Sequence, residues 1–253
     1  MTDLLIVALA SGLAGFVDAI VGGGGLVLVP ALFATYPAAA PATLFGTNKG
    51  GAIWGTAWAA HQYAQRVTLN WRSLRPAIAG ALGGSFVGAW AVTLVSAGGL
   101  RKALPFVLLV ILIYTLARKD LGRHHAPGHA PSREAWLAGG IGVGIGFYDG
   151  FFGPGTGSFF VFLFVRALGY DFLHASASAK LLNTATNAAA LLLFTMKGHI
   201  WWQVALALGV ANVLGSLAGT RLALKHGAGF VRVVFIVVVG ALILKTGYDA
   251  FLR

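Results

Sequence analysis

Two lysines and two aspartates stand within strongly apolar stretches of the chain. Lys49 and Lys180 lie inside such stretches, where a charge costs at least about 2.5 kcal/mol at membrane depth. Asp18 and Asp149 precede two glycine-rich clusters by about one helical turn. The lysines could pair with these aspartates, attract an anion, or extend to the lipid headgroups. The aspartates could carry a transported proton, or form fixed ion pairs or helix caps.

The glycine-rich clusters at residues 22–25 and 153–157 are predicted to interrupt helices. Glycine costs about 1 kcal/mol in a helix and proline about 3 kcal/mol, and the second cluster contains Pro154. Unwound backbone at membrane depth requires protein groups or a water-lined cavity to satisfy it. A helix that restarts near Leu26 or Ser158 presents free N–H groups and the positive end of its dipole, which favour an anion.

Polar residues accompany both lysines. Thr47 and Asn48 precede Lys49, and polar residues share the helix face of Lys180 at positions i−4, i+3, i+4 and i+7. Such side chains can hydrogen-bond a desolvated oxyanion, or equally bond one helix to another. The predicted binding residues are Gly22, Gly23, Gly24, Gly25, Thr47, Asn48, Lys49, Gly153, Gly155, Thr156, Gly157, Ser176, Lys180, Asn183 and Asn187.

The pattern around these residues occurs twice, 131 positions apart and without a gap. Gly15-Phe16-Val17-Asp18 matches Gly146-Phe147-Tyr148-Asp149, and the register holds through Lys49 and Lys180. A duplication of this size predicts two similar halves. We assign residues 1–117 to a first transmembrane repeat, 118–134 to a basic linker rich in His, Pro and Gly, and 135–253 to a second transmembrane repeat.

The composition indicates an all-α integral membrane protein. Hydrophobic residues make up 58% of the chain and charged residues 10%, against about 25% charged in a soluble domain. Apolar runs approach the ~20 residues needed to span a bilayer. We predict eight segments, four per repeat, with the first of each repeat broken at its glycine cluster. The segments are Leu4 to Phe33, Ala42 to Ala60, Leu74 to Val95, Leu104 to Leu116, Trp136 to Leu163, Ala175 to Phe194, Trp202 to Leu222 and Val231 to Leu244.

An even number of crossings per repeat predicts, as the default, that the two halves face the same way, whereas an odd number, as when a broken first segment counts as two, would invert one half. The net charge of +11 lies mostly in loops, where anionic headgroups account for it, so no nucleic acid partner is expected. Alternating the loops between two sides groups Arg66, the linker and Lys197 opposite Arg166 and Arg221. The more basic side is cytoplasmic. Both termini are therefore predicted in the cytoplasm of a multi-pass protein of the inner membrane.

The chain has no cysteine, which excludes disulfides, thiolate metal sites and a cysteine nucleophile. The linker histidines, His124, His125 and His129, have no acid at ligand spacing, so we predict a solvated loop and no metal site. No cofactor is expected. His61, His174 and His199 lie near segment ends and are unpaired with any acid in sequence, which argues against an intramembrane enzyme.

The stretch from Gly15 to Leu32, followed by Gly46-Thr47-Asn48-Lys49, resembles the TauE/SafE family of membrane proteins. The second half is similar in Gly153-Pro154-Gly155-Thr156-Gly157 and in Ser176-Ala177-Ser178-Ala179-Lys180. The resemblance covers nearly the whole chain. It implies a transporter of small sulfur-containing anions, sulfite or organosulfonates, acting in most members as an exporter.

The leading hypothesis is a secondary transporter that moves a small oxyanion by alternating access between the two repeats. No Walker-type motif for nucleotide hydrolysis is present. An anion channel shares the same sequence features, and a proton-coupled uptake permease for a related organic anion is a further alternative. The expected partners are a small anionic substrate and membrane lipids, with self-association into a homo-oligomer also considered.

Overall fold

The computed structural model describes residues 2–94, 109 and 124–251. Over these residues the chain is helical and contains no strand. The helices are α1 Thr2–Val21, α2 Gly25–Thr35, α3 Pro41–Ala64, α4 Trp71–Val92, α5 Pro131–Phe151, α6 Thr156–Leu168, α7 Phe172–Met196 and α8 Trp202–Phe251. The predicted segment Leu104 to Leu116 lies outside the described residues. By length and hydropathy alone, one described helix, α1 with a mean hydropathy of 2.3, is apolar enough to cross a membrane.

Helices α1 and α2 occupy the first long apolar run, and α5 and α6 occupy its counterpart in the second half. The backbone between them adopts positive φ angles, 79° at Gly22 and 101° at Gly23, then 89° at Gly153 and 87° at Gly155. Only glycine adopts such angles at little cost. The last two predicted segments form the single element α8, which is interrupted at Gly227 with φ 71° and ψ −165°.

Contacts between helix ends define two opposite ends of the molecule. At the first, which we call the Trp201 end, the ring of Trp201 before α8 packs edge-on against Tyr36 after α2, with centroids 5.3 Å apart. Near it, Oγ1 of Thr43 in α3 lies 3.5 Å from Nδ1 of His199, which follows α7. The ends of α2 and α7 and the starts of α3 and α8 therefore lie together.

The second end, which we call the linker end, is organised around the buried carboxylate of Glu134 at the start of α5. Its Oε1 accepts hydrogen bonds from Asn70 Nδ2 before α4 at 3.0 Å and from the Tyr170 hydroxyl after α6 at 2.7 Å. Oγ1 of Thr68, which follows α3, lies 3.4 Å from Nε2 of His174 in α7. The starts of α4, α5 and α7 and the ends of α3 and α6 meet here.

Helices α1 and α2 form a hairpin that enters from the Trp201 end. Helix α1 runs alongside α8 in the same direction: Ser11 Oγ donates to the Leu208 carbonyl at 2.8 Å, and further along a Cβ on Gly219 would lie 2.4 Å from the Phe16 carbonyl oxygen. Because α8 starts at the Trp201 end, α1 starts there too. Helix α2 then returns to the same end.

Helices α5 and α6 form the corresponding hairpin from the linker end, where α5 starts and α6 ends. The two hairpins therefore enter from opposite ends of the molecule. The parallel orientation expected for the halves does not hold. That expectation counted each first segment as one full crossing, whereas each turns back at its glycine cluster.

The hairpins also change the grouping of the charged loops. Arg166, in the last turn of α6, lies at the linker end with Arg66, while Lys197 lies at the Trp201 end. Arg221 also lies toward the linker end, because the interruption of α8 at Gly227 is near the start of α7, where Phe235 contacts Phe172. The loop alternation predicted from sequence is therefore wrong for Arg166, Lys197 and Arg221. The start of α1 also lies at the end opposite the linker, so the chain's N-terminus and the linker do not share a side as predicted.

Candidate functional site

Two buried ion pairs connect the halves of the molecule. Lys49 Nζ in α3 lies 2.5 Å from Asp149 Oδ2 in α5. Lys180 Nζ in α7 lies 3.2 Å from Asp18 Oδ2 in α1 and also donates to the Asp18 main-chain carbonyl. Each lysine therefore pairs with the aspartate of the other half. The lysine side chains are 5% and 0% exposed, so neither extends to the lipid headgroups.

The four ionised groups cancel one another within the site. Two ammonium groups face two carboxylates, so the site carries no net side-chain charge when all four are ionised. Removing one member of a buried pair leaves an uncompensated charge, which costs about 3–5 kcal/mol. While both ion pairs are formed, the attraction for an anion must therefore come from hydrogen-bond donors and from the N-terminal ends of helices.

The carbonyl groups at the end of α1 are satisfied by side chains of the second half. Ser158 Oγ donates to the Gly22 carbonyl at 3.2 Å, and Ser176 Oγ donates to the Ile20 carbonyl at 3.1 Å. A Cβ on Gly22 would lie 2.3 Å from the carbonyl carbon of Gly157. The two glycine breaks therefore touch, and this contact requires hydrogen in place of a side chain at both positions.

The second break satisfies its carbonyl groups locally. Thr156 Oγ1 donates to the Gly153 carbonyl at 2.7 Å, and the Tyr148 hydroxyl donates to the Pro154 carbonyl at 2.6 Å. The departure of this cluster from an all-glycine run therefore has a structural role. The Thr156 hydroxyl supplies a donor that a glycine could not.

Helices α2 and α6 both direct their N-terminal ends toward the site. Leu26 N–H donates to the Gly23 carbonyl at 2.9 Å, and Phe159 N–H donates to the Gly155 carbonyl at 3.1 Å. The amides that precede them belong to the first turns, which lack intrahelical acceptors, although Thr156 N–H donates to the Gly153 carbonyl at 3.3 Å. Together the two ends contribute partial positive charge to the space between them.

A cavity of about 30 Å³ lies between the breaks and the ion pairs, enough for about two water molecules. Asn48 projects into it, and its buried Oδ1 has no hydrogen-bond partner within the described part of the chain. The lining residues are Ala14, Asp18, Gly23, Gly24, Gly25, Leu28, Asn48, Lys49, Ala52, Thr56, Asp149, Gly153, Gly155, Thr156, Gly157, Asn183, Asn187 and Asn212.

Thirteen of the seventeen residues singled out from the sequence line this cavity. The other four lie beside it with structural contacts. Gly22 packs against Gly157, and Ser176 donates to the Ile20 carbonyl. Thr47 Oγ1 accepts a hydrogen bond from Trp201 N–H at 3.1 Å, and the buried Lys180 reaches the cavity only through Asp18.

Five lining residues were not predicted from the sequence: Ala14, Leu28, Ala52, Thr56 and Asn212. Thr56 could have been predicted from the sequence repeat, because it lies seven positions after Lys49, as Asn187 lies seven positions after Lys180. Its Oγ1 lies 3.5 Å from Asp18 Oδ2. Asn212 could not have been predicted in this way, because its position depends on how α8 packs against α1. There its Nδ2 donates to the Ser11 carbonyl at 3.1 Å.

The lining contains side-chain amides, hydroxyls and two paired charges. The arrangement can donate hydrogen bonds to a small guest and exchange them again.

Comparisons with known proteins agree with this description. The family model described as sulfite exporter TauE/SafE matches residues 7–246. The probable membrane transporter protein YfcA of Escherichia coli K12 is 37% identical over 239 residues, covering 94% of this chain and 87% of the relative. The probable membrane transporter protein ORF9 of Sinorhizobium is 35% identical, covering 96% and 91%. A probable membrane transporter protein of Haemophilus influenzae is 33% identical, covering 98% and 96%.

No solved structure matches the chain significantly. The family match nevertheless spans nearly the whole sequence, including both hairpins and all four residues of the exchanged ion pairs. The relatives are matched over most of their own lengths as well. This chain belongs to the TauE/SafE family of membrane transporters.

Proposed function

We propose that this chain is a secondary transporter that exports a small sulfur-containing oxyanion, such as sulfite or an organosulfonate, across the inner membrane. The observation that carries the proposal is the polar cavity between two broken helices. Discontinuous helices at matching places of two halves are typical of transporter binding sites. The family description, which names sulfite export, supports the substrate class.

The cavity offers an oxyanion several kinds of donor. The N-terminal ends of α2 and α6 contribute amides and partial positive charge. Asn48, Asn183 and Asn187 add side-chain amides. The ammonium group of Lys49 is within the same lining and becomes available when its contact with Asp149 loosens. A guest with several oxygens can use these donors together.

Alternating access is supported by the opposed hairpins. Helices α1 and α2 open toward the Trp201 end, while α5 and α6 open toward the linker end. Repeats of inverted topology place a substrate site at their interface, and rocking of one against the other exposes it to each side in turn. A cavity of about 30 Å³ corresponds to a closed form that must widen to admit an ion of several atoms.

We assign the linker end to the cytoplasm. Basic residues favour the cytoplasmic side, and Lys197 lies at the opposite end. The described basic residues near the linker end are Arg66, Arg72, Arg75, Arg133, Arg166, Arg221, Lys225 and Arg232, the last three because the interruption of α8 at Gly227 lies near the start of α7. The N-terminus is then outside the cytoplasm. A potential of 100 mV, negative inside, assists the exit of each negative charge by about 2.3 kcal/mol, so export needs no coupled ion.

Flux into proteoliposomes tests the proposal. Sulfite, sulfate, thiosulfate, taurine and sulfoacetate are supplied in turn to vesicles containing the full chain. We expect saturable uptake and counterflow for at least one of them, and we expect Asn48→Ala and Asn183→Ala to reduce its rate. Empty vesicles and an Asp3→Asn variant, altered at an exposed residue outside the site, serve as controls.

The same vesicles separate the alternatives. A channel passes current at rates far above conformational cycling and shows no counterflow, whereas a carrier saturates and exchanges. A proton-coupled permease instead accumulates its substrate when a pH gradient is imposed. Absence of flux for every sulfur-containing anion would overturn the proposed substrate class.

A further inference from the structure

The described part of the linker, from residue 124 onward, contacts the turn between α6 and α7. Ala126 N–H donates to the Gly169 carbonyl at 2.9 Å, and a ring nitrogen of His129 lies 2.8 Å from the Ala167 carbonyl oxygen. Gly169 has a φ of 77°, and a Cβ there would lie 2.4 Å from the Ala126 carbonyl oxygen. The close approach of these two backbones holds the neighbouring His125 in a defined place.

His125 contacts one ring in the first turn of α7 and one in the turn before it. Its ring stacks on that of His174 with centroids 4.0 Å apart, and packs in a T-shaped arrangement with that of Tyr170, with centroids 4.8 Å apart. His174 Nδ1 lies 2.7 Å from Asp171 Oδ2. One ligand atom from each of His125, Asp171 and His174 lies within 4.8 Å of the other two.

The two carboxylate oxygens of Asp171 make different contacts. Oδ1 accepts a hydrogen bond from His174 N–H at 2.8 Å and so caps the N-terminus of α7. Oδ2 faces the histidine rings and contacts His174 Nδ1 at 2.7 Å, a contact that a bound ion would replace. The side chains of His174 and Asp171 are 22% and 12% exposed, and His125 is exposed, so an ion can enter from solvent.

We propose that His125, Asp171 and His174 form a binding site for one divalent transition-metal ion, with zinc as its simplest occupant. Two imidazoles and one carboxylate are a common zinc ligand set, and a water completes the tetrahedron. Ligands about 2.1 Å from an ion lie at most about 4.2 Å apart, so closure requires small side-chain rotations. Magnesium and calcium prefer oxygen ligands and fit this set poorly.

The site joins the linker between the halves to the first turn of α7. It lies at the linker end, among groups that the transport cavity does not use. The linker histidines have no acid at ligand spacing in the sequence, but the prediction that His174 lacks an acidic partner is wrong, because it pairs with Asp171 three positions before it. The structure supplies Asp171 and His174 from a distant part of the chain.

The test is zinc titration of the full chain in detergent, purified without a polyhistidine tag, by isothermal calorimetry. We expect about one zinc ion per chain and a loss of affinity of at least about tenfold in His125→Ala and Asp171→Asn. Asp171→Asn is informative because asparagine retains the helix cap while it removes the ligand oxygen. His124→Ala is the matched control, because it removes the adjacent linker histidine outside the cluster.

Thermal unfolding of the same variants provides a second readout, because an ion that binds the folded state raises its melting temperature. We expect zinc to stabilise the wild type and His124→Ala but neither cluster variant. The proposal is overturned if His125→Ala binds zinc as the wild type does, or if His124→Ala loses as much affinity as His125→Ala. Either result leaves the proposed transport function untouched, because flux is measured separately without added metal.

Discussion

The environment of Lys49 is set by its partner, Asp149. From sequence, a lysine inside an apolar segment has three plausible environments, and spacing alone does not choose among them. The structure pairs Lys49 with the aspartate of the opposite half at 2.5 Å, with both side chains nearly inaccessible. The repeat of the pattern signalled that the four charges belong together. It contained no information on which lysine meets which aspartate.

A double-mutant cycle measures the energy of this pair. We expect Lys49→Ala and Asp149→Ala each to destabilise the protein by about 3–5 kcal/mol, because each leaves a buried charge uncompensated. The double variant should be more stable than the sum of the two single effects predicts. Thermal unfolding in detergent provides the measurement, with Arg66→Ala as an exposed control. Strict additivity would show that the two groups do not interact.

Proton coupling, if it exists, should involve Asp18 before Asp149. The Asp18 side chain is 14% exposed and that of Asp149 is 3% exposed, so water from the cavity reaches Asp18 more readily. We expect Asp18→Asn to flatten the pH dependence of anion flux in proteoliposomes, because the amide cannot take up a proton. Asp3→Asn, at an exposed position, should keep the wild-type profile. An unchanged profile in Asp18→Asn would make its contact with Lys180 a fixed ion pair.

At the scale of elements, the glycine clusters were readable from sequence because glycine and proline disfavour helix. Helices α2 and α6 start at Gly25 and Thr156, close to the expected Leu26 and Ser158. The sequence did not indicate whether the chain continues across the molecule or turns back after each break. It depends on tertiary contacts such as Ser158 with the Gly22 carbonyl, which join residues far apart in sequence.

The contact between the two breaks gives a test at this scale. Gly22→Ala should destabilise the protein and abolish flux, because Gly22 has a φ of 79° and its added methyl would lie 2.3 Å from the Gly157 backbone. Gly140→Ala is the matched control: this helical glycine of α5 has no atom within 4 Å of an added Cβ in the described structure. Unfolding temperature and flux are measured for both. Equal effects of the two substitutions would contradict the close approach.

At the scale of the whole molecule, the duplication predicted two halves but gave the wrong relative orientation. Periodicity and composition identify apolar runs, yet they do not distinguish a hairpin from a crossing when both have similar length. Because one hairpin in each half was counted as a crossing, Arg166, Lys197 and Arg221 were predicted on the wrong side. The composition also correctly indicated an all-helical protein over the described residues.

Single-cysteine labelling tests the orientation, because the chain has no native cysteine. In intact cells an impermeant maleimide should label Ala38→Cys and Lys197→Cys, which lie at the Trp201 end. Arg66→Cys and His124→Cys, at the linker end, should react only after the membrane is permeabilised. All four positions are exposed, so reactivity reports sidedness rather than burial. Labelling of Arg66→Cys and Lys197→Cys from the same face would contradict the opposed hairpins.

The exchanged ion pairs also have a consequence during biosynthesis. Lys49 and Asp149 are separated by 100 positions, and ribosomes add about 5–20 residues per second, so Lys49 is made about 5–20 s before its counter-charge emerges. Throughout that interval the nascent first half holds Lys49 and Asp18 without their native partners. The native pairing of both charges has to wait until the second half is translated.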